Sequence, residues 1–110
     1  MTPEGIDAVF SALSDPTRRE VMRCISEGGV SSVSEIAEQL PVTRQAVAKH
    51  LDALDEAGLV SYRRAGREKR YTLTPAPLSE AMTWMADVGA EWDDRLQSLE
   101  RHLKRGERPR

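Results

Sequence analysis

Only one cysteine, Cys24, occurs in 110 residues. A lone thiol cannot close an internal disulfide or supply a multi-cysteine metal site, so neither a disulfide scaffold nor a zinc finger is available. No run approaches the roughly 20 consecutive apolar residues of a membrane span. Residues 1–10 lack the basic start and apolar stretch of a signal peptide, so a cytoplasmic protein without a membrane partner is expected. Ser-His-Asp order, a phosphate-binding glycine loop and a convergent carboxylate pair are all missing. Catalysis is thereby left without a candidate site, and the chain is predicted not to be an enzyme. Internal repeats and low-complexity segments are absent too. At 39% hydrophobic residues the chain can fill one modest core, which predicts a single domain over residues 1–104.

The net charge of −2 conceals an uneven distribution. Residues 1–42 carry −4, residues 43–70 carry +3 and residues 71–110 carry −1. Arg63, Arg64, Arg67, Lys69 and Arg70 fall within eight positions, making a local basic patch on an otherwise acidic chain.

Pro3 suits a first helical turn, and Ile6, Val9, Phe10 and Leu13 recur at helical spacing, so a first helix is expected to end near Leu13. Asp15 followed by Pro16 is a strong start signal, with Val21, Met22 and Ile25 forming the apolar stripe and Gly28 and Gly29 the stop. Ser32-Val33-Ser34-Glu35 has the form of a capping box opening a third helix, which Pro41 ends. Thr43 can cap the fourth, whose Val47, Leu51 and Leu54 share one face and whose end falls at Gly58. The connection of about three residues between the third and fourth helices is the tight join of a helix-turn-helix, placed at 34–58. Over 59–74 the period turns to alternation, with Val60, Tyr62, Tyr71 and Leu73 in phase about a turn at Ala65-Gly66-Arg67; this predicts a β-hairpin. The expected architecture is mainly α with a small β-hairpin, in the order α-α-α-α-β-β-α.

A last helix is expected over 77–104, with a frayed, disordered tail over 105–110. Its residues Leu78, Met82, Met85, Gly89, Trp92, Leu96, Leu99 and Leu103 follow at spacings of 4, 3, 4, 3, 4, 3, 4. A helix of about 27 residues is about 40 Å long, more than so small a domain can cover, so this heptad seam predicts dimerisation.

Helical reading of DNA bases needs short or polar side chains on the exposed N-terminal face and apolar ones behind. The fourth helix has this pattern. Arg44 suits guanine, Gln45 suits adenine, Ala46 and Ala48 permit close approach, and Lys49 suits a phosphate or guanine. Thr43 and His50 join them as candidate contacts. Arg63, Arg64 and Arg70 are expected at phosphates, and Arg67 at the tip of the hairpin can reach the backbone or minor groove. Their phases differ along the strands, so they are not all expected to face DNA.

The strings DPTRREVM, SEIAEQLPVTRQAVAKHLDALDEAGLV and YRRAGREKRYTLT together resemble the ArsR/SmtB family of winged-helix bacterial repressors, over about residues 6–103. The resemblance implies a homodimer on an imperfect inverted repeat that releases DNA in response to a signal. It also implies a dimer interface made by the first and last helices, which adds Ile6, Val9 and Phe10 to the seam. The family's metal motifs are not matched. Ser34, Glu35, Ile36 and Ala37 stand where its thiolate sensors carry Cys-x-Cys. Asp87 is followed by Gly89, and His102 by Arg105, so each pair of its zinc sensors keeps one half. No metal or other cofactor is expected, and the last helix, with Trp84, Trp92 and the run WDDRLQSLERHL, resembles a non-metal branch. A small-molecule effector stays open, with Trp84 and Trp92 as candidate lining. Two rival readings also stand: a metal- or thiol-responsive repressor using Cys24 and His102, and a winged-helix protein-interaction module without DNA binding.

Overall fold

Asp15 fixes the start of the second helix through local chemistry. Its backbone is extended (φ −86°, ψ 121°), and Oδ1 accepts hydrogen bonds from the amides of Thr17 at 2.8 Å and Arg18 at 3.2 Å. Pro16, which has no amide to satisfy, takes the first helical position. In this computed structural model, which describes residues 3–29 and 31–106, the elements are α1 (Pro3–Leu13), α2 (Pro16–Gly28), α3 (Val33–Gln39), α4 (Arg44–Glu56), β1 (Val60–Ala65), β2 (Glu68–Leu73) and α5 (Pro75–Gly106). The order matches the α-α-α-α-β-β-α pattern expected from sequence. The described chain divides into two compact units, Met1–Ser79 and Glu80–Arg110, with the division inside α5.

In the first unit, α2 packs against α1, α3, α4 and β2. It buries Val21, Met22, Cys24 and Ile25 on one stripe. Val9 and Ala12 of α1, Ile36 of α3, Val47, Leu51 and Leu54 of α4, and Leu59, Val60 and Tyr71 complete the core. Val9 is fully buried within the single chain. Ile6, Phe10 and Leu78 are half-buried.

The connection between α3 and α4 runs from Leu40 to Thr43, one residue longer than expected. Gly58 ends α4 at φ +76°, with its amide on the Asp55 carbonyl and that of Leu59 on the Leu54 carbonyl. The antiparallel hairpin pairs Val60 with Leu73, Tyr62 with Tyr71 and Ala65 with Glu68. Gly66 takes φ +66° at the first central position of the two-residue turn, where a type II′ hairpin needs glycine. Ser31 adds a bridge on the other edge of β2: its amide donates to the Tyr71 carbonyl at 3.1 Å and the Tyr71 amide donates back at 2.9 Å. Nothing in the residues around Ser31 announces a strand, so the sequence reading did not contain this contact.

The last helix starts earlier than residue 77 and outruns residue 104. Pro75 and Pro77 both lie in the first turn, where a missing amide costs nothing. Arg105 and Gly106 are helical, which corrects the frayed tail at those positions, while residues 107–110 lie outside the described residues. In the second unit the seam residues Met82, Met85, Trp92, Leu96, Leu99 and Leu103 are 46–60% exposed, and Gly89 has nothing near its missing side chain. No helix among the described residues is long and apolar enough to cross a membrane.

Candidate nucleic-acid interface

Thr43 sets the first turn of α4. Its backbone is extended (φ −74°, ψ 159°) and its Oγ1 accepts from the Ala46 amide at 3.1 Å. Arg44 thereby becomes the first helical residue. With Val47, Leu51 and Leu54 wholly buried on one face, Thr43, Arg44, Gln45 and Lys49 are left exposed on the other. Ala46, Ala48 and His50 flank them, half-buried. The outer face is therefore two planar, multi-donor side chains and one ammonium group among small methyls, a set that can hydrogen-bond base edges. His50 has a second neighbour besides solvent. The Asp15 carboxyl is held below its ordinary value by the Arg18 amide first, with the Thr17 amide and the charges of His50 and Arg18 adding to it. The histidine thus lies within electrostatic reach of the α2 cap.

The hairpin register sorts the basic cluster into two faces. Arg63 pairs with Arg70, and Arg64 pairs with Lys69 one step along, so the two pairs point to opposite sides, while Arg67 occupies the turn. Arg63, Arg64 and Arg67 are exposed. Arg70 behaves differently: its Nη1 lies 3.8 Å from Glu35 of α3 and its Nη2 lies 3.8 Å from Glu68. The Glu35 carboxylate is thus directed at the hairpin, while the Ser32 half of the expected box is present, with Oγ accepting from the Glu35 amide at 3.2 Å. Lys69, which the sequence reading counted in the basic cluster without giving it a contact, holds its Nζ 4.4 Å from the Tyr62 ring centroid. That ring in turn lies 5.4 Å from the buried Tyr71 ring, whose hydroxyl burial pushes above its usual range. The alternation of the strands was the signal that could have paired Lys69 with Arg64.

Cys24 is buried on α2, and desolvation raises its thiol above the ordinary value. Among the described residues, no group of three or more His, Cys, Asp or Glu side chains could hold a metal ion.

A capped helix with a polar outer face, joined tightly to the helix before it and followed by a cationic two-stranded wing, defines a winged helix-turn-helix DNA-binding protein. Residues 13–63 match the family model described as a helix-turn-helix domain. The chain is 32% identical over 88 residues to the transcriptional repressor SdpR of Bacillus subtilis, spanning 80% of this chain and 97% of that one. It is 40% identical over 77 residues to the HTH-type transcriptional regulator Rv2034 of Mycobacterium tuberculosis, covering 70% and 71% of the two chains. Among solved structures, an ArsR-like transcriptional regulator from Rhodococcus sp. RHA1 is similar with a TM-score of 0.75 and 43% identity, over 89% of this chain and 92% of the other. The chain belongs to the ArsR family of winged helix-turn-helix transcriptional regulators. Its work is therefore DNA-binding transcriptional regulation, and the family is not one of enzymes.

Proposed function

We propose that this chain is a homodimeric promoter repressor that binds an inverted repeat by placing two copies of α4 in successive major grooves. The observation that carries the reading is the division of α4 into a wholly buried face (Val47, Leu51, Leu54) and an exposed face (Arg44, Gln45, Lys49). Acidic or apolar residues on that face would favour a protein-interaction module, and Arg44, Gln45 and Lys49 argue the other way. The exposed heptad seam of α5 supports the dimer. A helix of 32 residues is about 48 Å long, and six large apolar side chains at half exposure along it gain most by covering one another. Successive major grooves then put the half-site centres about 34 Å, one helical turn, apart. The unmatched metal motifs support the non-metal branch, with any signal acting through a small molecule or partner rather than an ion.

The test uses a duplex selected from random DNA by the wild-type protein. Alanine at both Arg44 and Gln45 is expected to abolish preference for that duplex over scrambled DNA, since each bidentate base contact carries about 1–3 kcal/mol of discrimination. Arg67→Ala is expected to weaken binding to both duplexes alike. Unchanged preference in the double variant would refute the assignment of α4.

A further inference from the structure

The wing and the residues that open α3 enclose a cleft of about 290 Å³, lined chiefly by Ser32, Ser34, Arg64, Arg67, Glu68 and Lys69. Three cations and one carboxylate face it, and the carboxylate is already engaged, because Glu68 lies 3.8 Å from Arg70 Nη2. The next acid, Glu35, lies 3.8 Å from the other terminal nitrogen of the same guanidinium. Arg70 thus draws the charge of two carboxylates away from Arg64, Arg67 and Lys69. Lys69 is placed by the Tyr62 ring beneath its ammonium group, and Tyr62 by the buried Tyr71. The Ser32 hydroxyl, almost wholly buried, accepts from the Glu35 amide. Ser34 adds a second hydroxyl at the rim.

We infer that this cleft seats one backbone phosphodiester of the bound DNA, with Arg64 and Lys69 supplying charge, Ser34 donating a hydrogen bond and Arg67 closing the outer lip. Arg70 is then a positioning residue that neutralises Glu35 and Glu68 instead of touching the phosphate. The inference rests on the DNA-binding reading above. Tetrahedral phosphate is the chemistry that fits, since it offers several acceptors to donors converging from two elements. The DNA backbone is favoured over a free phosphate because Arg67, which lines the cleft, sits at the exposed tip of the hairpin.

The experiment measures affinity for the selected and the scrambled duplex, from about 50 to 200 mM salt, with thermal melts confirming that each variant folds. Lys69→Gln is expected to weaken both duplexes by the same factor and to lower the slope of log affinity against log salt by about 0.9, leaving sequence preference intact. Duplexes with single methylphosphonate linkages should reveal one linkage per half-site whose neutralisation weakens the wild type clearly more than it weakens Lys69→Gln. Arg70→Gln should also weaken binding, and adding Glu68→Gln in the same chain should restore part of the loss. Absence of such a linkage, or a Lys69→Gln protein with wild-type affinity and slope, would overturn the inference while leaving DNA binding in place. Shifts of the Ser34 and Lys69 amide resonances saturating with inorganic phosphate alone, at concentrations that leave DNA affinity unaffected, would assign the cleft to a free ligand and overturn it too. No rescue by Glu68→Gln would overturn the role given to Arg70. A wild type with no affinity for either duplex would remove the DNA-binding reading and this inference together.

Discussion

Thr43→Ala removes a single oxygen, and its consequence can be followed from the cap to the DNA. That oxygen satisfies the Ala46 amide at 3.1 Å, one of the four donors that the start of any helix leaves open. A helix of 13 residues does not hold itself in water, so α4 depends on its buried face, and Val47 is the first residue of that face. Arg44, Gln45 and Ala46 precede it, in the turn held by the Thr43 side-chain cap and by the Val47 amide on the Thr43 carbonyl. Loss of an N-cap threonine costs about 1 kcal/mol, within a range of about 0.5–2. In a domain of this size that lowers Tm by about 4–8 °C, read by circular dichroism at one fixed protein concentration because a dimer melts in a concentration-dependent way. Binding must restore the frayed turn at the same cost, so affinity for the selected duplex should fall about fivefold, since 1.4 kcal/mol is about tenfold. Two companion variants separate capping from contact. Thr43→Ser keeps the oxygen and should match the wild type in both assays. Thr43→Asp caps at least as well and should keep Tm, yet weaken DNA binding through repulsion of the phosphates, most at low salt. A Thr43→Ala protein that melts within about 1 °C of the wild type would refute the reasoning, as would a Thr43→Asp protein no more stable than Thr43→Ala.

Three further outcomes follow from the core, the thiol and the α2 cap. Leu51→Ala opens a cavity at a wholly buried position and should cost about 2–5 kcal/mol in urea denaturation, whereas alanine at the exposed Gln45 should be nearly neutral. Cys24 should react with iodoacetamide far more slowly in the native protein than in denaturant at the same pH, because burial both shields the thiol and raises its pKa. The Asp15 carboxyl is lowered from 3.8, so the stability it contributes is complete above that value and is lost as the pH falls through the folded-state pKa. Melts of the wild type and Asp15→Asn at stepped pH should show the wild type losing more stability over that acid range; parallel curves would exclude the linkage.

Much of the fold is legible along the chain because its signals act over three or four residues. Asp15-Pro16, Ser32 to Glu35 and Thr43 to Ala46 each join a side chain to an amide within one helical turn, and such bonds form wherever the helix forms. The hairpin phase that separates Arg63 and Arg70 from Arg64 and Lys69 is likewise set by strand alternation alone. The α4 reading face follows from the same kind of rule, since burying Val47, Leu51 and Leu54 leaves Arg44, Gln45 and Lys49 outside.

Contacts between residues distant in sequence were decided only by tertiary packing. Val9 belongs to the core of its own chain, and an apolar residue at helical spacing gives no sign of whether its own chain or a partner covers it. Ser31 pairs with Tyr71, forty positions away, although no strand pattern precedes it. Arg70 meets Glu35 and Glu68 because α3 lies beside the wing, a neighbour that strand alternation does not announce. The physical reason is the same in each case. Local chemistry chooses the conformation of a segment, while the neighbour a side chain meets depends on how whole segments bury their apolar faces together.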